Sequence, residues 1–138
     1  MDQHEFISKT LHLPWVNRQS SFISVDCWGL VLLYYNHVLC IKLPEIKGYK
    51  KGSCDTGQGW DNGIDQWDKL EIPEQNAIFT CYKSGRPIHV GILISKTKVL
   101  HARGFIDNPG KVEIHSVRAI EAIYGKMTYH KFKGLNNA

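Results

Sequence analysis

Four cysteines occur in the chain, and one of them, Cys27, has the setting of a nucleophile. It follows Asp26 and opens the apolar run of SVDCWGLVLLYY, residues 24–35. Aspartate is a good helix N-cap, so Cys27 falls in the first turn of a predicted helix. Unpaired N–H groups and the helix dipole favour a thiolate there. Gly29, two positions on, costs a helix about 1 kcal/mol relative to alanine. A missing side chain at that point lets another backbone, or a substrate, come close. The competing reading is a buried core thiol, since free cysteine is among the most buried residue types. Cys40, Cys54 and Cys81 lack a helix-start context and read as core or loop thiols.

A thiolate nucleophile needs a base. His89 stands in RPIHVGILIS at the start of a predicted strand, and His101 stands in KVLHARG near the end of the next. A hairpin through SKTK makes the two strands antiparallel and sets these histidines side by side. One would then pair with the thiol and the other would orient the first. The alternatives are packed, satisfied strand histidines, or a metal pair to which His115 would be a weak third ligand. His4, His12, His37 and His130 default to surface or packing roles.

The elements that must hold these residues follow from periodicity. Residues 1–11 read as a short helix ended by Pro14, and NRQSSFIS as a loop leading to Asp26. Over 27–39, Cys27, Leu30, Val31, Tyr34 and Val38 form one stripe. Trp28, Leu32 and Tyr35 make the other side apolar too, which predicts a helix buried all round. Residues 47–68, rich in glycine and polar residues, read as a long surface excursion with a short helix near 64–69. Short strands are expected over 77–82, 90–95, 98–102, 111–115 and 127–132, with turns at KSGRP, SKTK and FIDNPG and one short helix over 117–124. Helices first and an antiparallel sheet after define an α+β class.

Composition sets the outer bounds. A length of 138 residues with 43% hydrophobic and 22% charged residues fits one compact domain, 1–138, and excludes a disordered or fibrous chain. The net charge of +4 suits an anionic partner, but the basic residues are scattered. Nucleic-acid binding would rest on charge alone, without an aromatic-studded basic strand face or a recognition helix. No C-x-x-C pair points to structural zinc, and the wide cysteine spacings suit free thiols in a reducing compartment. The start MDQHEFISKT lacks the pattern of a secretory signal, and the longest apolar stretch, residues 30–35, is too short to span a bilayer. An extracytoplasmic role would need another delivery route or a lysing host cell.

DCWGLV, then HVGILI, then VLHA, in that order, resemble the NlpC-type cysteine peptidases, papain-like enzymes of bacterial cell-wall stem peptides. The resemblance covers roughly 13–102. It assigns Cys27 as nucleophile, His89 as base and His101 as the residue that holds His89 in the right tautomer. The variant looks most like that of bacteriophage tail assembly proteins, with Trp28 after the cysteine, Pro14-Trp15 upstream and Leu43-Pro44 after the helix. Three positions depart from the family pattern. Trp15 stands where a tyrosine is usual, Asn17-Arg18 stand near the place of a Gly-Gly, and Gln75-Asn76 replace a Gly-Asp.

The resemblance implies a papain-like α+β fold, with N-terminal helices packed on a central antiparallel sheet. It implies hydrolysis of the γ-D-glutamyl–diamino acid bond of peptidoglycan. The Cys27 N–H would serve as oxyanion donor, with Trp15, Asp26 and Trp28 on the oxyanion and substrate side. It implies no metal or organic cofactor. The expected partner is the stem peptide, with other tail proteins in a phage setting, and neither nucleic acid nor membrane. The protein would be made in the cytoplasm and act in a virion tail or at the cell wall. The alternatives are a weak or inactive tail-tip module, a secreted wall-degrading toxin and a bacterial wall-remodelling enzyme.

Overall fold

The computed structural model describes residues 1–43, 66–105 and 108–134. Cys54, Pro44 and most of the excursion over 47–68 lie outside the described residues. Among the described residues two helices come first, α1 (Gln3–Thr10) and α2 (Cys27–His37). Six strands follow: β1 (Trp67–Leu70), β2 (Ile78–Lys83), β3 (Arg86–Leu93), β4 (Lys98–Phe105), β5 (Asn108–Ser116) and β6 (Thr128–Phe132). A further helix, α3 (Val117–Tyr124), links β5 to β6. The strands form one sheet in the order β1-β6-β2-β3-β4-β5, with every neighbouring pair antiparallel. The α+β expectation therefore holds.

Successive strand residues point to opposite faces, and the core divides accordingly. Ile78, Val90, Ile92, Leu100, Ala102 and Val112 pack with Leu30, Val31 and Tyr34 of α2 and Phe6 of α1. Phe79, Leu93 and Val99 pack on the other side with Val117 and Ile120 of α3. α2 is buried on nearly all sides, as its sequence predicts, and it lies against β3 and β4. Asn76, with φ at 71°, adopts a left-handed conformation that asparagine tolerates. From there its Oδ1 accepts a 2.6 Å bond from the Tyr34 hydroxyl and its carbonyl accepts from Tyr35. The residue at the usual aspartate position thus ties α2 to the head of β2.

Two expectations need correction. The short helix expected near 64–69 is overturned at 67–69, which belong to β1 and pair with β6, Trp67 opposite Phe132, while residues 64 and 65 lie outside the described residues. Trp67 is buried, and its ring meets those of Tyr35 and Phe132 edge-on. A four-residue strand shows too little alternation to stand out from the polar run before it. The second correction concerns β3, which begins at Arg86 rather than at 90. His89 therefore sits within the strand, not at its mouth. A register shift falls between Cys81 and Tyr82, because Cys81 faces His89 while Tyr82 faces Pro87. Bulges of this kind increase local twist and re-aim side chains.

The start of α2 is fixed by three backbone contacts. Asp26 Oδ1 caps the helix by accepting 2.6 Å from the Gly29 N–H. Its Oδ2 accepts 2.7 Å from the Arg18 N–H, and the Asp26 N–H donates to the Gln19 carbonyl. A Cβ on Gly29 would lie 2.0 Å from that carbonyl oxygen. It is a backbone, then, that the absent side chain admits. Gly29→Ala should destabilise the fold by more than about 2 kcal/mol in denaturant unfolding, the reverse of the gain of about 1 kcal/mol expected in an open helix. Unchanged or raised stability would contradict this account.

Candidate active site

β3 and β4 carry the two histidines on the face covered by α3. His89 Nε2 lies 2.8 Å from His101 Nδ1, and both side chains are buried, His101 completely. Gly91 makes room for them. A Cβ at that position would lie 2.4 Å from the Phe79 ring and 2.8 Å from His101 Cβ. The Phe79 ring meets both imidazoles edge-on, and Tyr124 stacks on His89 with ring centroids 5.5 Å apart. Arg103 lies over the other partner of this stack, its guanidinium carbon 5.9 Å from the Tyr124 ring centre.

This enclosure governs protonation. Burial, with Arg103 adding to it, pushes His89 down to about 4. Burial first, and then His89, His115 and Arg103, push His101 down to about 3. Both imidazoles are neutral at pH 7. With Nε2 of His89 committed to His101, Nδ1 is the nitrogen available for proton chemistry.

Cys27 is buried at the first position of α2. It adds, after burial, to the upward push on the Cys81 thiol and the Tyr124 hydroxyl. Cys81 is the register partner of His89, and Tyr124 is its stacking partner, so both groups that Cys27 influences adjoin His89. The other described thiols differ from it. Burial, then Cys27, pushes Cys81 up to about 12, while Cys40 is exposed beyond the end of α2. Asp26 is buried, and both its oxygens take backbone N–H bonds. Trp28 is buried in the α2-side core, and its indole Nε1 has no hydrogen-bond partner among the described residues. Trp15 is half-buried. Its ring packs so closely on β4 that a Cβ on Gly104 would lie 2.7 Å from it.

His115 was weighed only as a weak metal ligand. Its Nδ1 lies 2.8 Å from His101 Nε2, and its own Nε2 lies 3.7 Å from Glu113 Oε2. The three rings bond in series and do not converge, and no metal-holding group of three or more ligands occurs among the described residues. The signal was present in the FIDNPG turn. A β4–β5 hairpin sets Glu113 opposite His101 and His115 opposite Val99, so His115 is the diagonal neighbour of His101. Sequence alone does not point to Tyr124 and Arg103, because Tyr124 reaches His89 from α3 and Arg103 stands beyond the expected end of β4.

A papain-like α+β domain with a helix-start cysteine and a buried histidine pair is the class these features define. The sequence profile of the NlpC/P60 family matches residues 14–131, and the chain belongs to that family of cysteine peptidases and peptidoglycan hydrolases. In fold it is similar to the NlpC/p60 domain of the peptidoglycan hydrolase SagA, with a TM-score of 0.56 at 14% identity over 91% of this chain and 92% of that one. An NLP/P60 protein similar to lipoprotein, from Staphylococcus aureus subsp. aureus Mu50, is 21% identical over 78% of this chain and 34% of its own, with a TM-score of 0.47. None of the curated proteins compared matches the chain.

The depressed histidines make stability depend on pH. Above pH 6.5 they are neutral in both the folded and the unfolded state. Below it the unfolded chain binds protons that His89, His101 and the buried His130 (pushed down to about 4 by burial and then Lys69) refuse in the fold. Stability should therefore fall from pH 6.5 towards 4, by up to about 1.4 kcal/mol per pH unit for each histidine. His101→Gln should lower that slope by about one proton in urea unfolding measured across the range. A flat profile down to pH 4.5 would contradict the burial account.

Proposed function

We propose that the chain is a cysteine endopeptidase that cuts peptidoglycan stem peptides. The observation that carries this reading is the His89–His101 hydrogen bond, which leaves Nδ1 of a neutral His89 to act as the base for Cys27. In this mechanism Cys27 Sγ gives its proton to His89 Nδ1 and attacks the scissile carbonyl. The Cys27 backbone N–H, at the open start of α2, donates to the oxyanion of the tetrahedral intermediate. Collapse of that intermediate breaks the C–N bond, and His89 returns the proton to the leaving amine. Water, activated by the same nitrogen, then hydrolyses the thioester. His101 keeps the proton on Nε2 of His89, which is the tautomer the first step requires.

The finer assignments come from the family resemblance. The bond is γ-D-glutamyl to diamino acid, and the setting is phage tail assembly or local wall opening at genome entry. The protein would be made in the cytoplasm and delivered to its substrate by the virion or by lysis. Trp15, packed on Gly104 of β4, would wall the substrate side in place of the usual tyrosine.

Purified protein should release fragments from peptidoglycan or from stem peptides containing D-Glu and a diamino acid. Cys27→Ala should abolish release, and His89→Ala should lower it at least about 10²-fold. His101→Gln should keep part of the activity, because an amide oxygen still accepts the His89 Nε2–H. Mass spectrometry of the soluble fragments checks all three. Identical profiles for wild type and Cys27→Ala across several wall chemotypes would overturn the peptidase reading in favour of a tail-structural role. Cleavage by wild type alone, at another bond, would leave the nucleophile standing and remove the inherited substrate.

A further inference from the structure

The mechanism above asks an imidazolium to form where the protein least tolerates one. His89 and His101 are buried under Phe79, Tyr124 and the sheet, and Arg103 adds an unfavourable positive charge to both. Burying a charge without a partner is costly. The hydrogen bonds do not stop at this pair, however. His89 Nε2 to His101 Nδ1 and His101 Nε2 to His115 Nδ1 are both 2.8 Å, and they link the three rings in series, ending beside the Glu113 carboxylate. The His115 side chain is 32% exposed, and its Nε2 lies 3.7 Å from Glu113 Oε2.

We propose that His115, held by Glu113, is the outer end of a proton chain that begins at Cys27, and that the positive charge created by ionising Cys27 settles on His115 instead of on the buried His89. The inference rests on the peptidase reading for its first step. In the resting chain each ring carries its proton on Nε2: His89 donates to His101, His101 to His115, and His115 points its N–H at Glu113. When the Cys27 proton forms an N–H bond at His89 Nδ1, the Nε2–H of His89 breaks and its proton bonds to His101 Nδ1. The Nε2–H of His101 then breaks and its proton bonds to His115 Nδ1. One proton has entered, and one positive charge stands on His115 beside a carboxylate and water. His89 is left neutral with its proton on Nδ1, poised to give it to the leaving amine, and that transfer runs the chain backwards.

The same wiring makes the site sensitive to pH. Nδ1 of His89 is the one vacant nitrogen of the resting chain, so a proton taken up there from solvent shifts both hydrogen-bond protons outward and blocks the base. The charged and titratable groups around this path are His101 and Arg103 on β4, Glu113 and Lys111 on β5, Tyr124 on α3 and Cys81 on β2.

The test uses His115→Gln and Glu113→Gln in the full chain, each first checked for wild-type thermal unfolding. Glutamine at 115 can accept the His101 Nε2–H through Oε1 but cannot carry the charge. Alkylation of Cys27 by iodoacetamide, followed by mass spectrometry, reads thiolate formation without any substrate. His115→Gln should slow alkylation at pH 7 about tenfold, the equivalent of one pKa unit. Cleavage of a stem peptide should fall by a similar factor, with its acid limb moved to lower pH. Glu113→Gln should cost at most about fivefold, as expected for a half-exposed ion pair. A variant that only loosened the fold would not move the acid limb, and its unfolding midpoint would betray it. Wild-type alkylation by a folded His115→Gln, or an unmoved acid limb, would overturn the proposal. Should alkylation depend on His115 while no wall peptide is cut, the chain stands and the peptidase reading falls.

Discussion

The hydrogen bond between His89 and His101 is the constraint around which the site is arranged. It exists because β3 and β4 pair with Ile92 opposite Leu100 and Leu93 opposite Val99, which brings both histidines to the α3 side of the sheet. It is kept short by Gly91, whose missing side chain lets Phe79 and His101 close over the strand. The bond fixes which nitrogen of His89 remains for chemistry, and its burial fixes the charge state of both rings. The same burial lowers the stability of the fold in acid and makes a buried imidazolium expensive. A site built this way has a use for a more exposed histidine at its outer end, and β5 supplies one.

The second constraint is at the start of α2. Asp26 binds the helix through Gly29 and the preceding loop through Arg18, while Gly29 lies directly under the Gln19 carbonyl. Ser20 Oγ donates 2.7 Å to the Gly29 carbonyl and closes the same joint from the other side. These contacts leave Cys27 little freedom, so its position depends on the loop at 18–20 as much as on the helix itself. Asn76 then anchors the far end of α2 through the Tyr34 and Tyr35 hydroxyls. The helix is tied at its start to the loop and at its far end to the head of β2, and both ties locate the cysteine.

The parts legible in the sequence are those with strong local signals. Asp26 as cap and α2 as a fully buried helix follow from residue types within a dozen positions. The 117–124 helix and the β3–β4 hairpin also came from local pattern, and with the hairpin came the approach of His89 to His101. What escaped has a non-local cause. β1 is four residues long and gains its stability from Trp67 against Phe132 and Tyr35, a contact between distant parts of the chain. β3 begins earlier than its apolar run because Pro87 and the exposed Ile88 disguise a strand with a register shift. The role of His115 depends on a diagonal across the β4–β5 register, which spacing alone does not reveal as a hydrogen bond.

The account stands or falls on whether His89 activates Cys27. Limiting iodoacetamide near neutral pH, with sites mapped by mass spectrometry in wild type and in His89→Ala, measures this most directly. The prediction is that Cys27 is alkylated faster than the exposed Cys40, and faster than Cys54 and Cys81, with a denatured control labelling all four. Its rate should drop at least about tenfold in a folded His89→Ala protein. Faster labelling of Cys40, Cys54 or Cys81, or a Cys27 rate indifferent to His89, would contradict the account.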